Sequence, residues 1–215
     1  MQCLELYSGT GSVGTVLRAR GWDVVSVDCC QSFEPTVCAD ILEWGGWTHL
    51  KPMYIHASPP CTAWTVARSG GPPPDIEHSK RMVNRVFEIA DALGVPFLTL
   101  ENPASAGIKD MDIGPHKKVT YCKYAPEWGY KKSTRIYHRG MWGWMPRDMC
   151  TRQKPCDCVI FGTHPLWAQT GARAFPMNHP RHAQKGPSKK TIKAQPESQT
   201  TCHHQQVDPV SYTPP

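Results

Sequence analysis

Apolar residues in the first hundred positions fall into short runs punctuated by glycine, proline and polar clusters. Residues 3–7 begin with such a run and predict a first strand. The glycines that follow turn the chain into a helix over about 12–20, closed by Gly21 in a left-handed cap. Val24-Val25-Ser26-Val27 reads as a buried strand ending at Asp28, and a short third strand ends near Ala39-Asp40. Residues 53–57 supply a fourth and run into Ser58-Pro59-Pro60-Cys61. A long helix is predicted over 76–93, because Met82, Val83, Val86, Phe87, Ala90 and Leu93 share one face at 3.6-residue spacing. Gly94 and Pro96 stop it, and 96–100 form a fifth strand.

Strands alternating with helices predict an α/β fold with a parallel sheet covered on both sides. In such sheets ligands bind beyond the carboxyl ends of the strands. Gly9, Asp28, Asp40, Cys61 and Glu101 all fall at such ends.

The pattern changes after residue 115. Residues 116–150 read as a basic stretch rich in tyrosine and tryptophan. Two short related segments follow, starting at His164 and His179. From about Ser188 onward glutamine, threonine, proline, serine and lysine dominate, and a disordered tail is expected. The expected organisation is a catalytic domain over 1–139, a small Cys/His/Trp unit over 140–187 and the tail over 188–215.

Charge sharpens the contrast. The chain has 215 residues and a formal net charge of +6. Between His116 and Pro155, ten lysines or arginines face only Glu127 and Asp148, whereas the first hundred residues are nearly balanced. Such a surface suits a polyanion, and equally a solvated basic face. The chain passes from Met1 straight into a strand, which predicts no signal peptide. Its ten cysteines are then expected to be reduced or metal-bound in an intracellular, soluble protein.

Three features carry chemistry. Leu6-Tyr7-Ser8-Gly9-Thr10-Gly11 is a glycine loop between a strand and a helix, suited to a nucleotide-type cofactor or to a tight turn alone. Asp28 could accept hydrogen bonds from a ribose and Asp40 could face an adenine edge; either could instead be a loop or helix-cap residue. Cys61 follows two prolines in an exposed turn, an unusual place for a structural cysteine. As a nucleophile it needs surroundings that favour thiolate. Glu101 ends the neighbouring predicted strand.

In this order, residues 3–139 resemble the catalytic domain of the cytosine-C5 DNA methyltransferases. The glycine loop, with Tyr7 and Ser8 to Gly11, resembles that family's cofactor loop. Asp28, Asp40 with Ile41, and Pro59 fall at its other S-adenosylmethionine positions. Pro59-Pro60-Cys61-Thr62-Ala63-Trp64-Thr65 resembles the nucleophile motif, with Thr65 where serine is usual. Glu101-Asn102-Pro103 resembles the Glu-Asn motif, where valine is commoner at the third position. Lys131-Lys132-Ser133-Thr134-Arg135-Ile136-Tyr137 resembles the basic motif that follows.

The resemblance implies a Rossmann-like methyltransferase fold, with S-adenosylmethionine as cofactor and double-stranded, cytosine-containing DNA as partner. It implies Cys61 as nucleophile, Glu101 on the base and Arg135 on its O2. The other readings are a relative acting on RNA and an inactive DNA-binding regulator. No copy of the family's late cofactor-pocket motif is found, and the segment after the basic motif is far shorter than a usual recognition domain. Both suit a minimal enzyme of viral or mobile-element type, placed in cytoplasm, nucleoid or a host nucleus. The phosphate contacts are expected from Lys117, Lys118, Lys131, Lys132, Arg139 and Arg147, with Trp142 or Trp144 filling space left by a flipped base.

Cys150, Cys156, Cys158 and His164 form a candidate zinc set in a loop-rich unit. Their spacing is not that of a standard zinc knuckle, so structural zinc and free thiols both stay open.

Overall fold

Residues 1–61, 63, 74–105, 107–124 and 131–157 are described by a computed structural model. Seven strands form one sheet: β1 (Gln2–Leu6), β2 (Asp23–Asp28), β3 (Val37–Cys38), β4 (Tyr54–Ala57), β5 (Phe97–Pro103), β6 (His116–Thr120) and β7 (Ser133–Arg139). Their spatial order is β3-β2-β1-β4-β5-β7-β6. β1 pairs in parallel with β2 and β4, and β2 with β3. The Rossmann-like α/β expectation therefore holds. The order reverses between β1 and β4, so the loops leaving these two strands flank the crevice where such sheets bind ligands.

Beyond the five expected strands the sheet gains two more, β6 and β7, which pair antiparallel. Their sequences hid this. His116-Lys117-Lys118 gives β6 a polar start, and only Val119 and Thr120 are buried. Charges of this kind on the last strand of a sheet discourage pairing with another chain. They also mask strand periodicity, so the region read only as a basic surface.

Two helices complete the regular structure. Helix α1 (Ser12–Arg18) stops two residues earlier than expected. Gly21, at φ 78°, still makes the left-handed turn. Its N–H reaches Arg18 O while Trp22 N–H reaches Leu17 O, closing the end as a Schellman motif. Helix α2 (Ile76–Ala92) begins at Asp75, whose carboxylate caps His78 N–H at 2.8 Å. It buries Ser79, Val83, Val86, Ile89 and Ala90, with Met82 and Phe87 only half-buried. The packed face is thus turned from the predicted one towards Ile89. β5 runs three residues further than expected, so Glu101 and Asn102 lie within the strand rather than after it.

Contacts divide the described chain into two units. One contains Met1–Pro60 and Asp75–Thr99; the other contains Cys61 and the chain from Leu100 onward. The first buries a layer of branched residues, among them Leu4, Leu6, Val27, Ile55, Val86 and Leu98. Among the described residues no helix is long and apolar enough to cross a membrane.

Candidate active site

In the first unit, the glycine loop leaves β1 in a conformation few residues adopt. Tyr7, Gly9 and Gly11 have φ of 53°, 48° and 65°. A side chain at Gly9 or Gly11 would meet no atom within 4 Å, so open space lies over the loop. Asp28, at the end of β2, holds the loop. Its Oδ2 accepts from Gly9 N–H at 2.8 Å and its Oδ1 from Cys30 N–H at 2.9 Å. Ser8 N–H donates to Val27 O, fixing the loop to the same strand end.

The residue that sequence reasoning missed here is Glu5, read only as part of a strand. Its carboxyl is buried under the start of α1. Burial pushes its pKa up, while the Gly14 and Val13 amides and the Arg18 charge pull it back. A Cβ at Gly14 would overlap Glu5 Oε2, which explains a glycine inside a helix. The one available signal was a lone acid in an apolar strand four residues before the first loop glycine.

Tyr7 donates its hydroxyl to Met82 O at 2.9 Å, which ties the loop to α2. Burial and then the charge of Asp40 push its phenol well above the ordinary range. Asp40 caps the turn after β3 by accepting from Leu42 N–H at 2.9 Å, and Ile41 is buried. Asp40 also lines an open cleft of about 580 Å³ with His78, Arg81 and Arg85. Pro59 is buried, and the Ser58 hydroxyl lies 3.2 Å from His56 Nε2. His56 Nδ1 in turn meets Thr99 Oγ1 at 2.9 Å, so a buried polar chain on β4 and β5 leads to the start of the Pro-Pro turn.

In the second unit, Cys61 is half-buried. Burial pushes its thiol up, the Lys132 charge pulls it down, and the Glu101 charge adds a smaller upward push. Glu101 Oε1 accepts from Lys132 Nζ at 2.9 Å and from Tyr121 Oη at 3.1 Å. The side chains of Lys132 and Glu101 are 24% and 16% exposed, so water screens this pair less than a surface bridge. Lys132 Nζ also sits 4.9 Å from the centre of the Tyr121 ring. A thiol, a carboxylate, an ammonium and a phenol thus form one group. Tyr121 was legible only as a member of a basic, aromatic stretch, and Lys132 as a basic-motif and phosphate-contact residue rather than as the partner of Glu101.

Arg135 takes no part in the hydrogen bonds and ion pair that join this group. On β7 it pairs with Lys118, and its charge helps to depress the His116 imidazole, for which burial is the larger cause. Its Nε is buried without a hydrogen-bond partner among the described residues. The cation held by Glu101 there is Lys132. Of the expected phosphate-binding residues, Lys132 is engaged in this way. Arg147 is engaged with Lys123 O at 2.6 Å and with the Tyr124 ring. Trp142 is 77% exposed and meets the His138 ring edge-on, as does the half-buried Trp144.

Of the expected metal set, Cys150 and Cys156 are among the described residues. They come together with Cys122, which the sequence argument left out, with all three sulfurs within 4.8 Å of one another. Burial and the two neighbouring sulfurs push the Cys122 thiol well above the ordinary range. Cys122 follows β6, 28 positions before Cys150, too far for a spacing argument to join them. Cys158 and His164 lie outside the described residues, as do Thr62, 64–73, the His164 and His179 segments and the tail.

No family model and no curated protein matches the chain. Among solved structures it is similar to a DNA modification methyltransferase encoded within a prophage of E. coli, at 16% identity and a TM-score of 0.49. That match covers 72% of this chain and 53% of the other. It is also similar to the Dnmt2 methyltransferase of S. pombe, at 15% identity and a TM-score of 0.49, covering 69% and 54%. The chain spans about half the length of either protein.

Proposed function

We propose that this chain transfers a methyl group from S-adenosylmethionine to C5 of cytosine in DNA. The observation that carries the reading is Cys61, after its two prolines, balanced between the charges of Lys132 and Glu101. The first unit has features that fit the cofactor: a left-handed glycine loop under open space, and strand-end carboxylates at Asp28 and Asp40. Tyr7, Ser8, Gly9, Thr10, Gly11, Asp28, Asp40, Ile41 and Pro59 would hold it. When bound it supplies an electrophilic methyl group.

The chain's own residues then act on the base. Lys132 favours the Cys61 thiolate against the effect of burial. The thiolate forms a bond to C6, and the displaced electron pair makes C5 nucleophilic. Glu101, at N3 and the exocyclic amine, favours a proton on N3, and that proton offsets the negative charge that attack creates. Once C5 carries the methyl, water takes the C5 proton, the freed electron pair re-forms the C5–C6 double bond, and Cys61 leaves as thiolate. The base must first leave its helix, at a cost of a few kcal/mol. Lys117, Lys118, Lys131 and Arg139 are the phosphate contacts in this reading, with Arg135 held for O2 and Trp142 for the vacated space.

The test uses labelled S-adenosylmethionine with DNA and with RNA, and a duplex carrying 5-fluorocytosine. Label should enter DNA, and the fluorinated duplex should trap a covalent adduct that Cys61→Ser abolishes while cofactor binding persists. Label on RNA alone would overturn the DNA assignment. Label on neither, or an adduct that survives Cys61→Ser, would overturn the mechanism.

A further inference from the structure

The segment over 140–157 is held in place by little that is apolar. Among its residues only Cys150 and Cys156 are buried; the rest are half-buried or exposed. Both sulfurs meet Cys122, and among the described residues these three cysteines form a buried cluster of their own. Buried cysteine often behaves as a small hydrophobe. Three such side chains bury too little surface to order a loop of this length, and units of this kind commonly rely on a metal or a disulfide.

The polar contacts around the cluster fix its shape. Cys150 N–H donates to Thr120 Oγ1 at 2.9 Å, and Lys123 Nζ to Pro155 O at 2.6 Å. Arg147 N–H donates to Tyr124 Oη at 2.8 Å. Between the two loop cysteines, Thr151 and Lys154 close a turn through Thr151 N–H to Lys154 O at 3.1 Å and Lys154 N–H to Thr151 Oγ1 at 3.0 Å. This turn returns Cys156 towards Cys150.

We infer that Cys122, Cys150 and Cys156 bind a structural zinc ion as thiolates. Zinc–sulfur bonds of about 2.3 Å in a tetrahedron place sulfurs about 3.8 Å apart, and sulfurs already within 4.8 Å of one another need little adjustment. Thiolate sulfur selects zinc, copper(I) or iron–sulfur clusters, and three thiolates supply three of the four ligands of a zinc tetrahedron. Each thiol gives up its proton as it binds the ion, so loading releases protons to solvent. The ion joins the turn after β6 to the loop over 140–157. It thereby fixes Tyr121, the neighbour of Cys122, on Glu101.

The test is made on the full chain, purified with a thiol reductant and without chelator. About one zinc per chain is expected by elemental analysis, with no stoichiometric iron or copper. Cobalt(II) in place of zinc should give a tetrahedral visible spectrum and a thiolate charge-transfer band. Serine at Cys122, Cys150 or Cys156 should each lower that band and the zinc content, whereas Cys29→Ser and Cys38→Ser should change neither. Because the band on the unaltered chain reads the ligands directly, misfolding of a variant cannot imitate it. Absence of zinc and of the band, iron or copper instead, a disulfide within the trio, or a Cys122→Ser chain with full metal content would each overturn the inference. None of these readouts depends on methyl transfer.

Discussion

Both units bury apolar side chains, but the contacts that single out each one differ. In the unit of 1–60 and 75–99, branched apolar side chains interlock across parallel strands, and its one buried acid sits under helix amides. In the unit that holds Cys61 and the chain from Leu100, the informative contacts are polar or sulfur-based. They are Lys132 and Tyr121 on Glu101, His138 between two tryptophans, and three cysteines on one another. Close packing tolerates little added volume and no unpaired charge. Polar groups with paired charges tolerate changes of shape better than changes of ionisation. A substitution should therefore register as stability in the first unit and as reactivity in the second.

The largest expected effect lies in the second unit. Glu101→Gln keeps the shape and can still accept from Tyr121, but it loses the charge. Under the proposed mechanism methyl transfer should fall by about 10²–10⁴, with the melting temperature nearly unchanged. A comparable loss of folding stability would break the distinction between the units. Next comes Gly14→Ala in the first unit. Alanine gains up to about 1 kcal/mol of helix propensity, but its methyl overlaps Glu5 Oε2, and overpacking costs about 1–3 kcal/mol. The net should be a lower urea midpoint, and an unchanged or higher midpoint would show that α1 can shift freely.

A smaller effect tests the electrostatics of Cys61. Lys132 lowers the pKa of the thiol and Glu101 raises it. Lys132→Gln should move alkylation of Cys61 by iodoacetamide to higher pH, so the reaction slows at neutral pH. Glu101→Gln should move it to lower pH. Shifts of the same sign in both variants would show that the two charges do not act on this thiol. The smallest effect is expected at the surface. Lys154 Nζ lies 2.7 Å from Asp148, raising the lysine pKa and lowering that of the acid, yet both side chains are more than 60% exposed. Lys154→Ala should leave thermal unfolding within experimental error, since exposed pairs contribute little.

Sequence alone determined the first parallel strands and where they end, because apolar runs and glycine stops are local patterns. Val24 to Val27, the glycine loop and Gly21 are each readable within a few residues. Position along the chain likewise singled out Cys61, Asp28 and Glu101. Only tertiary structure decided which groups act together. Glu5 became significant because α1 folds over it, and Lys132 because β7, which it precedes, lies beside β5 and so beside Glu101. Cys122 became a partner of Cys150 and Cys156 because the chain after β7 returns to the end of β6. Periodicity reports how a residue sits on its own element. Distances between sulfurs or charges far apart in sequence are set by strand order and loop closure, which no local pattern records.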